Sequence, residues 1–482
     1  MTAAIRSRWF DITAFALLFA TIIIFALTGN YFILPLPIAF LYIVLMGVNW
    51  KTAYWILLFT IPASIQINFA GDTMSVTLPD QPMMWLFLLL FCLLITRNPS
   101  SLPNWWWRDS LVLIVVLQFI WTIVAVVFSK MLFFSLKFLL AKTWLLVCFF
   151  VIPVWIFQEK KDFVKGFLIL LVPMLITVMV ILIHHAFLGF RFDRVQRSMS
   201  GLYYNHVDYS TVISMFLPLL LVAVPLSKGK SRLTRGLLKV IILIFITGII
   251  FSYARAALIG VVFSIVIGIA IRMRLVNLIM PVFYGLMILL VAYMVPNNKY
   301  LSFRPDYNHT YMHKDFIYHV ISTFQGKDMS SMERVYRWIA AIRMSKDEPI
   351  TGYGPRAFVH YYKPYAVTSF KTYVSRNTEQ STTHNYFIYM LVEQGWPAMI
   401  LYGLLIFAIF AKAQHIYHRF HDRFYRLVTM GLAMTLAVGF INNFFSELIE
   451  THKIAALFYI PIALLIILDR KSKTEEKRPE LI

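Results

Sequence analysis

Long apolar runs recur from one end of this chain to the other, and they restrict what it can fold into more than any other feature. Residues 109–129, 133–157, 162–186, 236–252, 255–271 and 276–295 are each apolar over roughly 17 residues or more, the length that crosses a bilayer as a helix. Lipid offers backbone groups no hydrogen-bond partners, so a span has to satisfy them internally. The strands of a membrane barrel would alternate every second residue, and the run from Ile241 to Phe251 does not. The reading is an all-α polytopic membrane protein with twelve to fourteen transmembrane helices. Its spans are 9–28, 31–49, 52–69, 83–96, 109–129, 133–157, 162–186, 209–227, 236–252, 255–271, 276–295, 385–411, 426–445 and 453–469, and spans two to four are open to merging. Residues 1–295 form an N-terminal membrane region. Residues 296–384 form one long polar loop containing short helices, and residues 385–482 return to the membrane and end in a charged tail. The tail from Asp469 is expected to be disordered. The first apolar run is long and no small-residue cleavage site follows it, so it reads as a first span, not a removable leader.

Charge gives the orientation. The chain is 60% hydrophobic and 14% charged, yet its net charge is +21. Lys51, Arg97, Arg108, Lys160, Lys161, Lys165, the Lys228–Lys239 cluster, Arg272, Arg274 and the basic tail fall in alternate loops. Basic residues mark cytoplasmic loops, so both termini read as cytoplasmic and the 296–384 loop as extracytoplasmic. The positive charge is thereby assigned to membrane lipids, and no basic, aromatic-interleaved strip points to nucleic acid. Cys92 and Cys148 lie inside apolar runs and form neither a disulfide framework nor a metal motif.

Several polar residues run against this background. Arg255 sits where one span ends and the next begins, in Ser252-Tyr253-Ala254-Arg255-Ala256. At such a depth an arginine snorkels to headgroups, faces a polar cavity or pairs with an anion. Arg191, Arg194 and Arg197 oppose the positive-inside trend, and a guanidinium binds phosphate or pyrophosphate through paired hydrogen bonds. A solvated loop explains each of them about as well. Arg334 and Arg337 share a face if residues 330–344 are helical, with Trp338, Ile339 and Ile342 forming an apolar side suited to the membrane surface. An ion pair between Glu333 and Arg337 is the plainer account of that spacing. Gly352-Tyr353-Gly354-Pro355 is a tight turn that lacks phosphate-loop spacing. His384 stands at the mouth of the following span, where a neutral imidazole can take a proton from a hydroxyl. Asp72 and Asp80 are too far apart for a metal pair, and Glu447 and Glu450 lack a third ligand. Arginines, not a metal, are therefore expected to offset the charge of a leaving pyrophosphate, with no cofactor.

Taken together these residues resemble the O-antigen ligase and O-antigen polymerase superfamily of bacterial envelopes. The resemblance rests on Ser252 to Ala256, on Glu333-Arg334 ahead of Trp338, and on Pro349 to Phe358 with Gly352 and Gly354. It also rests on His384-Asn385 with Gly395 beyond, and on Gly201 to Tyr209 with Asn205. It departs from the family pattern where Tyr253-Ala254 stands between Ser252 and Arg255. The resemblance implies transfer of a glycan from undecaprenyl pyrophosphate to an acceptor hydroxyl on the periplasmic face of the inner membrane. It implies Arg255 and Arg334 on the pyrophosphate and His384 activating the acceptor. Substrate contacts are expected from Arg191, Arg194, Arg197, Asn205, Arg337, Gly352, Gly354 and Asn385. The acceptor is lipid A-core in the first reading; a growing glycan or a protein hydroxyl remains open. A flippase for lipid-linked sugars is the alternative from another class. Carriers, however, show related halves, and an outer loop of about 90 residues is unusual for them.

Overall fold

The computed structural model describes residues 13, 16, 18–29, 35–69, 74–199, 201–303, 329–368 and 381–476. Parts of the first expected span, Asp72, and the last residues of the tail lie outside that set, as do 304–328 and 369–380 of the long loop. Among the described residues, twelve helices are long and apolar enough to cross a membrane. The chain is an all-α polytopic membrane protein.

The helix His452–Glu476 forms the axis of the bundle. Every residue from Ile454 to Asp469 is buried, so this helix is apolar all round instead of on one stripe. Around it pack Arg423–Phe445, Tyr386–Arg419, His206–Leu226 and the segment Val147–Val151. Arg255–Arg272 lies antiparallel along Arg423–Phe445. A Cβ on Gly260 would come within 3.1 Å of Asn442, and one on Gly268 within 3.2 Å of Met434. Gly260, Ser264 and Gly268 thus form a small-residue face that lets the two backbones approach closely. The outermost helices show the reverse of a soluble protein. Leu278, Val282, Leu286 and Leu289 of Val276–Met294 are all exposed, as lipid-facing residues are.

The structure corrects the sequence reading in two places and bears it out in a third. The expected span 52–69 ends early, because Ile65–Phe69 pairs antiparallel with Met74–Leu78, with Ile67 opposite Val76. Both segments alternate apolar and polar residues, the two-residue period of a strand. The break expected between spans 31–49 and 52–69 is present, since the helix Leu36–Thr60 breaks at Asn49, which has non-helical angles of φ −149° and ψ 79°. There Tyr42 donates its hydroxyl hydrogen bond to the Ala53 carbonyl at 3.0 Å, and Asn49 caps the Thr52 N–H. A straight helix would hold residues 42 and 53 about 16 Å apart, so the chain doubles back at this point. Finally, the tail is helical to Glu476. Asp469 is paired with Arg419 and Lys473, which extends the axial helix beyond its apolar part.

Candidate functional site

The helix Tyr386–Arg419 carries most of the site, and it is broken. Gly395 has φ 80° and ψ 176°. A break inside a membrane bundle exposes backbone groups, which have to be satisfied by protein. Here the loop residues 349–354 do so. The N–H groups of Tyr353 and Gly354 donate to the Val392 and Glu393 carbonyls at 3.0 and 2.8 Å, and Trp396 donates to Pro349 at 3.0 Å. The Trp121 indole takes the Gln394 carbonyl at 2.8 Å. This contact leaves no room for side chains on the turn. A Cβ on Gly352 would sit 2.4 Å from the Glu393 carbonyl carbon, one on Gly354 1.9 Å from Ser129 Oγ, and one on Gly395 1.8 Å from the Ile350 oxygen. All three glycines have left-handed φ. Gly352 and Gly354, expected as substrate contacts, are therefore engaged in packing the turn onto the broken helix.

The loop helix Met329–Asp347 packs on this turn. Tyr336, Ala340, Ala341 and Met344 form one face, at the helical spacing of three or four residues. They join Tyr353, Phe358, Tyr362 and Val392 in a second, smaller core. From this helix two side chains hold the strand that precedes His384. Arg337 is buried, pairs with Glu333 one turn back, and donates from Nη1 to the Thr382 carbonyl at 3.1 Å. Trp338 donates its indole N–H to the Thr383 carbonyl at 2.8 Å. The ion pair anticipated from the i, i+4 spacing is present, and Arg337 is committed to it and to the loop backbone. Nothing local hints at the Trp338 bond, because it reaches 45 residues along the chain.

His384 itself has a left-handed backbone, φ 52°. Asn385 follows as the N-cap of the broken helix, accepting from the Phe387 and Ile388 N–H groups at 2.9 and 3.1 Å and donating to the Phe444 carbonyl at 3.0 Å. Asn205 plays the same part for His206–Leu226, accepting from Val207 and Asp208 at 2.9 and 2.8 Å. Asparagine before a helical run is a capping signature, and it accounts for both residues. The His384 imidazole keeps some access to solvent. Burial first, and then the Arg334 and Arg337 guanidiniums, hold it well below the usual histidine range. This setting favours the uncharged ring.

On the bundle side, Glu447 lies between the helices Arg423–Phe445 and His452–Glu476. It faces the His384 backbone N–H and the Thr382 hydroxyl, and burial raises its carboxyl above the usual range. Its former partner in a possible metal pair points elsewhere: Glu450 accepts from Lys142 at 2.8 Å and from the Tyr386 hydroxyl at 2.7 Å. Among the described residues no group of three His, Cys, Asp or Glu side chains is placed to hold a metal ion.

The structure brings Arg334, Arg337 and His384 together. Arg255 is the first residue of Arg255–Arg272 and is partly buried. The antiparallel register of Gly260 with Asn442 puts it just past the helix end at Phe445, level with Glu447, which faces the His384 backbone N–H. It therefore stands at the same end of the bundle as His384. The remaining arginines lie on a different segment, between Lys160–Phe187 and His206–Leu226. Arg191 makes an exposed two-bond pair with Asp193, both bonds at 2.9 Å. Arg194 is half-buried and Arg197 exposed.

Two residues of the site were not singled out from sequence. Glu393 is buried in the broken helix and accepts from the Arg356 and Phe358 backbone N–H groups at 2.7 and 3.3 Å. Arg356 stands in the left-handed region, φ 68°, with an exposed side chain. A carboxylate in the middle of an apolar run was the available signal for the first. Nothing local marked the second.

No match is found among the curated proteins. A family model described as O-antigen ligase matches residues 240–403. That stretch begins in the helix Arg232–Phe251 and contains Arg255, Arg334, Arg337, Gly352, Gly354, His384 and Asn385. Over that third of the chain, set within a bundle of membrane helices, the protein is similar to the O-antigen ligase family.

Proposed function

We propose that the protein is a ligase that moves a glycan from undecaprenyl pyrophosphate to an acceptor hydroxyl of lipid A-core, at the periplasmic face of the inner membrane. The observation that carries this reading is the state and setting of His384. It is an imidazole favoured in its uncharged form, held by Arg337 and Trp338 through the preceding backbone and faced by the Arg334 guanidinium.

In the proposed step the acceptor oxygen attacks the anomeric carbon and forms the new glycosidic bond. The bond from that carbon to the pyrophosphate oxygen breaks, and the pyrophosphate leaves with the electron pair. The hydroxyl proton passes to His384, a contribution of about 10²–10⁴-fold for a well-placed base. Arg334, and Arg255 from the bundle side, offset the charge that develops on the leaving group. Such fixed electrostatics is commonly the largest catalytic term. Inversion at the anomeric carbon follows if the attack is opposite the pyrophosphate. A broken helix is also how carriers build ion sites. Here, however, the groups freed at Gly395 are taken by residues 349–354 and Trp121, which favours a static scaffold over a moving gate.

The test is to replace His384 and Arg255 singly with Ala, confirm membrane levels, and examine surface glycan on gels. Loss of the lipid A-linked ladder with build-up of lipid-linked polymer is the expected result. Build-up of single repeat units would point instead to a polymerase. Normal ladders in both variants would remove the assignment.

A further inference from the structure

Arg356 is used by none of the roles above, and its surroundings ask for one. It ends the Gly352–Pro355 turn in a left-handed conformation that glycine or asparagine adopts more readily. Glu393 fixes that backbone, since its two oxygens accept from the Arg356 and Phe358 N–H groups. The side chain is exposed to solvent. Tyr389, Glu393, Glu450 and Glu447 are the ionisable groups around the guanidinium. Tyr389 lies one helical turn beyond the Asn385 cap. Among the described residues, no carboxylate is within ion-pair distance of the guanidinium and no hydrogen bond engages it.

A counter-ion role is the plain alternative, but two of the three nearby acids are already served. Glu450 is held by Lys142 and Tyr386, and Glu393 by two backbone N–H groups. Glu447 faces the His384 N–H. Arg356 therefore approaches the His384 loop from the bundle side, whereas Arg334 approaches it from the loop helix. Guanidiniums on two sides of the His384 loop suit a ligand with two linked phosphoryl groups, each able to take a forked pair of hydrogen bonds.

We propose that Arg356 is a further donor-binding residue, holding one phosphoryl group of a prenyl pyrophosphate on the bundle side of His384. This rests on the donor-binding reading given above, and the test separates the two. Farnesyl pyrophosphate and farnesyl monophosphate serve as probes, titrated against the full-length chain in detergent with tryptophan fluorescence as the readout. Arg356→Asn removes the charge and keeps a residue that tolerates the left-handed backbone; Arg356→Lys keeps the charge and loses the fork. In R356N the affinity for farnesyl pyrophosphate is expected to fall about tenfold, the scale of one charge-assisted contact, to that of the monophosphate. R356K should lie between R356N and the parent, with all three melting alike. Unchanged pyrophosphate affinity in R356N, alongside weakened binding in Arg334→Gln, overturns this proposal alone. A melting temperature lowered in R356N and restored in R356K, with affinity unchanged, also overturns it and makes Arg356 a counter-ion. A parent protein that does not prefer farnesyl pyrophosphate to farnesol overturns the donor-binding reading itself.

Discussion

His384 works in a setting that opposes its own protonation. Burial and two neighbouring guanidiniums favour the uncharged ring. A base of this kind stays competent as pH falls below about 6.5, where an ordinary histidine would charge. The acid limb of kcat/KM, which reports the free enzyme, is therefore expected well below pH 6.5. In kcat, which reports the complex, the limb should move to higher pH, because a bound pyrophosphate cancels the positive field. Arg334→Gln removes one of the opposing charges and should raise the limb of kcat/KM as well. A pH profile of residual transfer activity in that variant checks the sign. An unmoved limb would show that Arg334 does not act on this imidazole. Arg334 and His384 were legible in the sequence because an arginine or histidine at a span boundary stands out against apolar neighbours. Arg356 was not, because its interest lies in what faces it across the fold. Asn205 and Asn385 were read as substrate contacts although each precedes a helical run, and their amides are used as caps.

At the scale of elements, the break at Gly395 decides where the loop docks. Three glycines meet there in left-handed conformations, and two of them face backbone atoms directly. Gly352→Ala and Gly395→Ala each add a methyl group where none fits and also force an unfavourable φ. A loss of about 3 kcal/mol is expected from the two effects together. Gly403→Ala, on the same helix, meets its nearest atom at 3.6 Å and should be neutral. Thermal melts of the three variants in detergent give the comparison. If Gly352→Ala melts like the parent but binds donor weakly, the turn is a substrate loop and not a packing device. The hydropathy pattern showed the helices because a bilayer imposes one length and one polarity on each. It also showed the break at Asn49, where Asn49, Lys51 and Thr52 interrupt the apolar run, but not the break at Gly395, whose apolar run continues on both sides. The hairpin of Ile65–Phe69 with Met74–Leu78 escaped for another reason. Its period-two alternation spans only five residues a side, and the adjoining apolar run obscured it.

Across the whole molecule, the site end is tied together by charges that lie inside the bundle. Lys142 of Leu132–Ile156 pairs with Glu450 at 2.8 Å, next to the axial helix, and both side chains are nearly closed off from solvent. The same Glu450 oxygen accepts from Tyr386, two residues beyond His384. Lys142 also lies 5.3 Å from the Tyr459 ring centre and lines a cavity of mixed character with Gln118, Thr122, Gln394 and several apolar side chains. The pair therefore links Leu132–Ile156 and the turn Leu448–Glu450 to the start of Tyr386–Arg419, two residues beyond the proposed base. Burying two charges gains little net stability over an apolar pair, but removing one partner leaves the other unpaired at a cost of about 3–5 kcal/mol. Lys142→Met is expected to destabilise the protein on that scale, whereas Lys142→Met with Glu450→Gln should recover most of the loss. Melting temperatures of the single and double variants measure the coupling. Equal loss in both would mean that the pair does not act as a unit. Transfer activity in the double variant then reports whether Glu450 also orients Tyr386. Activity that stays low after stability returns would place the carboxylate in the positioning of the His384 loop, not only in the integrity of the bundle.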